Sequence, residues 1–197
     1  MTEKLQNALN EQITAELWSA NLYLSMSFYL EREGFSGMAR WMQKQSAEEI
    51  GHAYAIAEYM IKREATPKVD KVDVVPQGWG NPVEVFEHVL EHEKHVSKLI
   101  DELVQVASEE KDNATQNFLW QFVREQVEEE ANVLNIVSRL RKAGDSAILF
   151  MDAKLQSAKP PVHLFKTKRF YFEVLFQNEA SLLEQNQTAF KWTSNPI

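Results

Sequence analysis

The sequence predicts an all-α protein: a four-helix bundle with one long crossover between its second and third helices, followed by a short fifth helix. Three observations carry this. Apolar residues recur at helical spacing through four long segments in the first 143 residues, each leaving one stripe to face a core. Only six Gly and six Pro occur in 197 residues, too few for a turn-rich sandwich or barrel. Two of the three gaps between segments are short and one is long, the spacing of a one-crossover bundle.

The first segment, 3–32, has an inward stripe of Leu5, Leu9, Gln12, Ile13, Glu16, Ala20, Tyr23, Leu24 and Ser27. Gly34-Phe35-Ser36-Gly37 ends it, because glycine accepts the left-handed backbone that closes a helix. The second, 38–64, places Met38, Met42, Gln45, Glu49, His52, Ile56 and Met60 on one face. The third, 82–110, opens on Pro82, suited to a first helical turn, and its stripe is Phe86, Val89, Glu93, Val96, Ile100, Leu103 and Ala107. The fourth, 113–142, turns Leu119, Phe122, Gln126, Glu129, Val133, Ile136 and Leu140 inward. Ala143-Gly144-Asp145 stops it before a short helix at 146–156. The short breaks make segments one and two, and three and four, antiparallel hairpins. The 65–81 connection reaches about 55 Å when extended. A 28-residue helix is about 42 Å long, so that connection can run the length of the bundle and deliver the third helix parallel to the second.

Composition narrows the function. The net charge of −8 argues against general attraction to nucleic acid or to an anionic membrane. Zero cysteines exclude disulfides, thiolate metal sites and a thiol nucleophile. No 18-residue apolar run and no apolar leader occurs, so a cytoplasmic protein is expected.

The polar members of the stripes carry the chemistry. Glu16, Glu49, His52, Glu93, Gln126 and Glu129 lie near the middle of their helices, on faces otherwise occupied by Leu, Ile, Val, Phe and Met. Several buried carboxylates at one level repel one another and lose hydration, a cost that a multivalent cation offsets. Glu49-Ile50-Gly51-His52 puts an oxygen and an imidazole nitrogen one turn apart. Combined with glutamates from facing helices, that is the di-iron or di-manganese carboxylate pattern, and an oxygen-rich set with one His suits iron over structural zinc. Glu-x-x-His alone is common by chance, and the non-catalytic alternative is a structural bundle whose polar stripe is a hydrogen-bond network. Met38, Met42 and Met60 read as core filler.

Asn10-Glu11-Gln12-Ile13-Thr14-Ala15-Glu16, Ser46 to Ala53, Glu91-His92-Glu93 and Arg124 to Glu130 closely resemble the non-haem ferritins of bacteria. The resemblance spans about residues 3–156 and implies a ferritin-like fold: an iron-storage protein that oxidises Fe(II) with oxygen or peroxide and keeps Fe(III) mineral in a homo-oligomeric 24-mer cage. It implies that Glu16, Glu49 and His52 bind a first iron, that Glu49 bridges to a second held by Glu93 and Glu129, and that Gln126 lies nearby. Tyr23 matches a tyrosine implicated as an electron donor beside the centre. Glu48, Glu125 and Glu128, with Glu129, match a third iron site, a solvated acidic face being the other reading of these residues.

Departures narrow the class. The position three after Gln126 is Glu129, where bacterioferritins carry His, so no haem is expected. Rubrerythrins need a four-cysteine module. A DNA-protecting mini-ferritin is the alternative iron reading, disfavoured because those proteins place the site between subunits and lack the short fifth helix. Gln116 and Leu119 stand where animal heavy chains carry carboxylates, so their iron entry route does not transfer. His88, His92 and His95 fall off the core stripe and read as solvent-facing or subunit-contact residues, with surface metal capture as the alternative.

Residues 1–156 thus form the expected ferritin-like di-iron domain, and 157–197 an extension. The extension opens on Lys159-Pro160-Pro161, holds seven aromatic residues and carries five basic against three acidic groups, too aromatic for an ordinary solvated tail. The residues leave its role open.

Overall fold

The computed structural model describes residues 1–157 as five helices: α1 (Glu3–Arg32), α2 (Ser36–Lys62), α3 (Pro82–Glu109), α4 (Asn113–Lys142) and α5 (Asp145–Ser157). All of the expected 157–197 extension except Ser157 lies outside the described residues.

Side-chain pairings fix the directions. Ser46 Oγ donates to the Ala20 carbonyl while Asn10 reaches Thr66 and Lys68, so α1 and α2 run antiparallel. Gln45 meets Glu129 and Tyr59 meets Thr115, which makes α4 antiparallel to α2. Tyr29 reaches Gly80 and Lys4 reaches Glu109, so α3 opposes α1 and lies parallel to α2. The connection between α2 and α3 therefore does run the length of the bundle. It is more than a tether: Trp79, 5% exposed, packs into the core beside His88.

The helix ends follow local rules. At the end of α1 the Phe35 and Gly34 N–H groups donate to the Leu30 and Glu31 carbonyls, with Gly34 at φ +87°, the Schellman closure that glycine permits without strain. Asn81 caps α3 in a capping box with Glu84, satisfying otherwise orphaned N–H groups. Asp112 caps α4 through Thr115 N and is gripped by Arg63 Nη1 and Nη2 at 3.0 and 2.9 Å. The Arg63 hydrogen bond holds the Asp112 carboxyl down at about 2. A lowered folded-state value stabilises the protein above the unfolded pKa near 3.9 and loses that contribution as pH falls toward 2. Asp112→Ala is expected to cost about 1–2 kcal/mol at neutral pH, a penalty that fades between pH 4 and 2 in paired urea titrations.

The core is the predicted one, with two corrections of phase. Leu24 is 38% exposed: it lies 100° around the helix from Tyr23, and Tyr23, Met26 and Leu30 hold the inward face. Ile136 is only half-buried, while Val137 is 1% exposed, because Val133, Val137 and Leu140 form the i, i+4, i+7 ridge.

The α2 start lacks a side-chain cap of its own. Asp152 of α5 supplies it, accepting from Met38 N at 2.8 Å and Gly37 N at 3.2 Å. A Cβ on Gly37 would lie 1.9 Å from the Asp152 carbonyl oxygen, so only glycine lets α5 seat there. Gly37→Ala should displace α5, exposing Met151 and Leu155 (9% and 7% exposed), while the four long helices stay folded. Limited proteolysis near 145–157 with unchanged total helicity upstream is the check.

Candidate metal centre

Helix periodicity brings six polar residues to the middle of the bundle. Glu16, Glu49, His52, Glu93, Gln126 and Glu129 are between 1% and 7% exposed. One donor atom each from Glu16, Glu49 and His52 lies within 4.8 Å of the others. His52 Nδ1 is 2.9 Å from Glu49 Oε2 and 3.7 Å from Glu16 Oε2. Gln12 Nε2 donates to Glu16 Oε1 at 2.9 Å. The other oxygen, Glu16 Oε2, takes no hydrogen bond from any described residue.

Across the bundle, Glu93 accepts from the Tyr23 hydroxyl on Oε1 and from Gln126 Nε2 on Oε2 at 3.0 Å. Glu129 accepts from Gln45 Nε2 at 3.3 Å. Tyr23 is fully buried and meets Trp41 and His92 edge-on.

The electrostatics record how costly this assembly is without a cation. Burial pushes the Glu49 carboxyl well up, and the charges of Glu16 and Glu93 add to the rise against His52. Burial also raises Glu93, opposed by the Tyr23 and Gln126 hydrogen bonds, and with the charges of Glu93 and Glu125 it lifts Glu129 to about 7. His52 goes the other way from an ordinary buried imidazole. Burial disfavours its charge, but the carboxylates of Glu125, Glu16 and Glu49 beside the ring win and raise it well above its usual range. Glu16 is likewise pushed up by burial, yet His52 brings it below its ordinary value. Burial, then Glu93, drives the Tyr23 phenol well up, so it is a proton donor at neutral pH. A dication held among these carboxylates would offset that cost.

A second convergence uses the far side of the same imidazole. Glu48, His52 and Glu125 offer atoms within 4.8 Å of one another, and His52 Nε2 lies 3.4 Å from Glu125 Oε1. Glu125 is only 7% exposed, so the solvated-face reading does not hold for it. Glu128 is exposed and is not in this cluster.

His88, His92 and His95 do not converge as a group: among the described residues, the sets of three donors within 4.8 Å are the two above. His88 and His95 are exposed, as the sequence suggests, but His92 is not a solvent-facing residue. Its ring packs against Trp18 and Tyr23, and its Nε2 lies 3.0 Å from Ser19 Oγ. Burial, then His95, lowers it to about 4. The physical reason is that His92 precedes Glu93, so it points to the groove between α3 and α1 and not away from both.

Sequence reading passed over Gln12 and Gln45 as site residues. The available signal was their burial phase: each stands four residues before a glutamate of the stripe, on the same helix face.

One long crossover and a mid-bundle set of Glu and His donors define the class, a ferritin-like carboxylate metal protein. The Ferritin-like domain family matches residues 6–143. The chain belongs to the ferritin family, and its fold is that of an iron-storage ferritin. It is 68% identical over 155 residues to the bacterial non-heme ferritin of Bacteroides fragilis (strain 638R), which covers 79% of this chain and 98% of that one. The bacterial non-heme ferritin of Campylobacter jejuni is 33% identical over 145 residues, covering 74% and 87%. Among solved structures, an open-pore ferritin from the hyperthermophilic archaeon Archaeoglobus fulgidus has a TM-score of 0.79 at 45% identity, over 81% of this chain and 99% of that one.

Proposed function

We propose that the protein is a ferroxidase: it oxidises Fe(II) at a di-iron centre inside each subunit and stores Fe(III) mineral within a homo-oligomeric cage of the 24-mer type. One observation carries the reading: Glu16, Glu49 and His52 converge within 4.8 Å, with the buried carboxylates of Glu93 and Glu129 facing them. Hard oxygen donors with one imidazole match Fe(II). In this reading Glu16, Glu49 and His52 hold the first iron, and Glu49 bridges to a second at Glu93 and Glu129, with Gln126 orienting Glu93. Glu48 and Glu125, beside His52, offer a third iron position, to which Glu128 is assigned by the family resemblance alone.

Two Fe(II) ions side by side release two electrons together, so one oxygen molecule and two protons give one hydrogen peroxide and two Fe(III), without a free one-electron product. The chain's own groups manage the protons. Because the Glu49 and His52 values are raised, Fe(II) entry competes with protons at both. Tyr23, which donates its hydroxyl hydrogen bond to Glu93, orients that carboxylate toward the second iron.

Every donor comes from one chain, which favours this reading over a mini-ferritin. Phe28, Ile61, Val127 and Leu134, each more than half exposed, supply apolar surface of the kind that neighbouring copies cover. No helix among the described residues is long and apolar enough to cross a membrane; in this reading the protein works in the cytoplasm. Residues 1–156 hold every proposed ligand, and 157–197 supply none.

Aerobic Fe(II) oxidation, followed by ferric absorbance beside a mass measurement of the assembly, tests the proposal. Catalysed oxidation well above the protein-free rate, by a particle of many subunits, is expected. An uncatalysed rate would overturn it in favour of a structural bundle.

A further inference from the structure

Gln12 and Gln45 are 5% and 2% exposed and stand beside the centre without being among its donors. A buried primary amide costs free energy unless it is hydrogen-bonded, and each of these spends its NH2 on a carboxylate. Since a carboxylate only accepts, the nitrogen of each amide must face it. Gln12 thereby occupies Glu16 Oε1 at 2.9 Å. That leaves Oε2, which no described residue hydrogen-bonds, on the side of His52 Nδ1 at 3.7 Å.

We propose that Gln12 is a positioning residue that makes Glu16 a one-oxygen ligand for a divalent cation, keeping one coordination position open at the first metal. The inference rests on the metal-centre reading above. A glutamate free to rotate can close on an ion with both oxygens and fill two positions. Gln12 and Glu16 sit on consecutive turns of α1, so their spacing is set by the helix, and the amide holds Oε1 back along that axis. Only Oε2 is then left for an ion, on the side of His52 Nδ1. An open position is what a metal needs in order to take up an exogenous ligand such as oxygen, peroxide or water. Gln45 holds Glu129 from α2 at 3.3 Å and does not touch Glu16, so it serves as the control.

The test uses the full-length protein loaded with Co(II), whose visible spectrum reports coordination number, and azide as the exogenous ligand. In the unaltered protein azide should add to the Co(II) centre with a spectral change. Glu16→Ala should remove one Co(II) equivalent; if it does not, the metal-centre reading itself fails. With that step passed, Gln12→Met keeps side-chain length and packing but removes the donor. It should weaken azide binding about tenfold, the lower end of the loss usual for outer-shell partners, with a shift toward the weaker spectrum of higher coordination. Gln12→Leu is the second variant should Met pack poorly, and circular dichroism shows which variants are folded. Gln45→Leu, which removes the hydrogen bond to Glu129, a ligand of the other metal, should weaken azide binding less than Gln12→Met does. Azide binding to a folded Gln12 variant as tightly as to the unaltered protein, or an equal loss in Gln45→Leu, overturns the proposal.

Discussion

Replacing Glu49 with Gln, or His52 with Ala, is expected to lower the initial rate of Fe(II) oxidation by at least about 100-fold while the helices still fold and assemble. Loss of an outer-shell partner alone costs about 10–100-fold in metal affinity or activity, and these two residues supply donor atoms directly. Glu49 is the more damaging position, because its carboxylate faces Glu16, Glu93 and His52 together. Folding survives for a physical reason. The Glu49 carboxyl gains nothing from burial, and a neutral isostere relieves its repulsion with Glu16 and Glu93. Large apolar side chains such as Leu9, Met42, Ile56 and Leu119 remain fully buried in the bundle. Stopped-flow absorbance at matched subunit concentration, with circular dichroism on the same samples, is the measurement. An initial rate within a few-fold of the unaltered protein in either variant would remove these residues from the centre.

Adding Zn(II) to the metal-free protein is expected to raise its melting temperature, and the rise should grow with pH. A ligand bound only by the folded state stabilises it by RT ln(1 + [L]/Kd), about 2.7 kcal/mol at a hundredfold excess over Kd. The metal must displace protons from groups whose folded-state values are raised: Glu49 and His52 well above their ordinary range, Glu129 to about 7. Lowering the pH through 7 therefore strengthens proton competition, and raising it favours metal. Without metal the sign reverses. A raised His52 value favours folding below its unfolded pKa near 6.5 and loses that contribution as pH climbs through the folded value. Calorimetric scans at pH 6 and pH 8, with and without Zn(II), should thus show a larger metal-dependent shift at pH 8. A Glu16→Ala, Glu49→Ala double variant should lose most of it; an equal shift there would place the metal elsewhere.

Much of the fold was legible because helix periodicity is a local property. The boundaries of α1 and α4 coincide with the predicted ones, and those of α2 and α3 differ by a residue or two. Those differences lie at termini where capping decides: Phe35 offers α2 no side-chain cap, and Asp152, more than a hundred residues away, takes that role. The errors of phase at Leu24 and Ile136 are one-residue slips on a surface that turns 100° per residue. Trp79 could not be placed by periodicity at all, since a crossover has no repeat and its burial depends on what lies beneath it.

The sequence by itself determined which residues face inward, and hence that Glu16, Glu49, His52, Glu93, Gln126 and Glu129 share one level of an all-α bundle. That follows from 3.6 residues per turn and a connection long enough to span the molecule. Only the tertiary structure decided what each polar group does. Gln12 and Gln45 stand in the same sequence relation, four residues before a stripe glutamate, yet Gln12 bonds along its own helix to Glu16 while Gln45 crosses to Glu129 on α4. His92 and His95 are one turn apart on α3, yet one packs against Tyr23 and the other faces solvent. Glu125 resembles its exposed neighbour Glu128 in sequence but is buried 3.4 Å from His52. The physical reason is common to all three. Periodicity fixes the direction of a side chain about its own axis, whereas its partner is set by the register of a neighbouring helix, which no local pattern encodes.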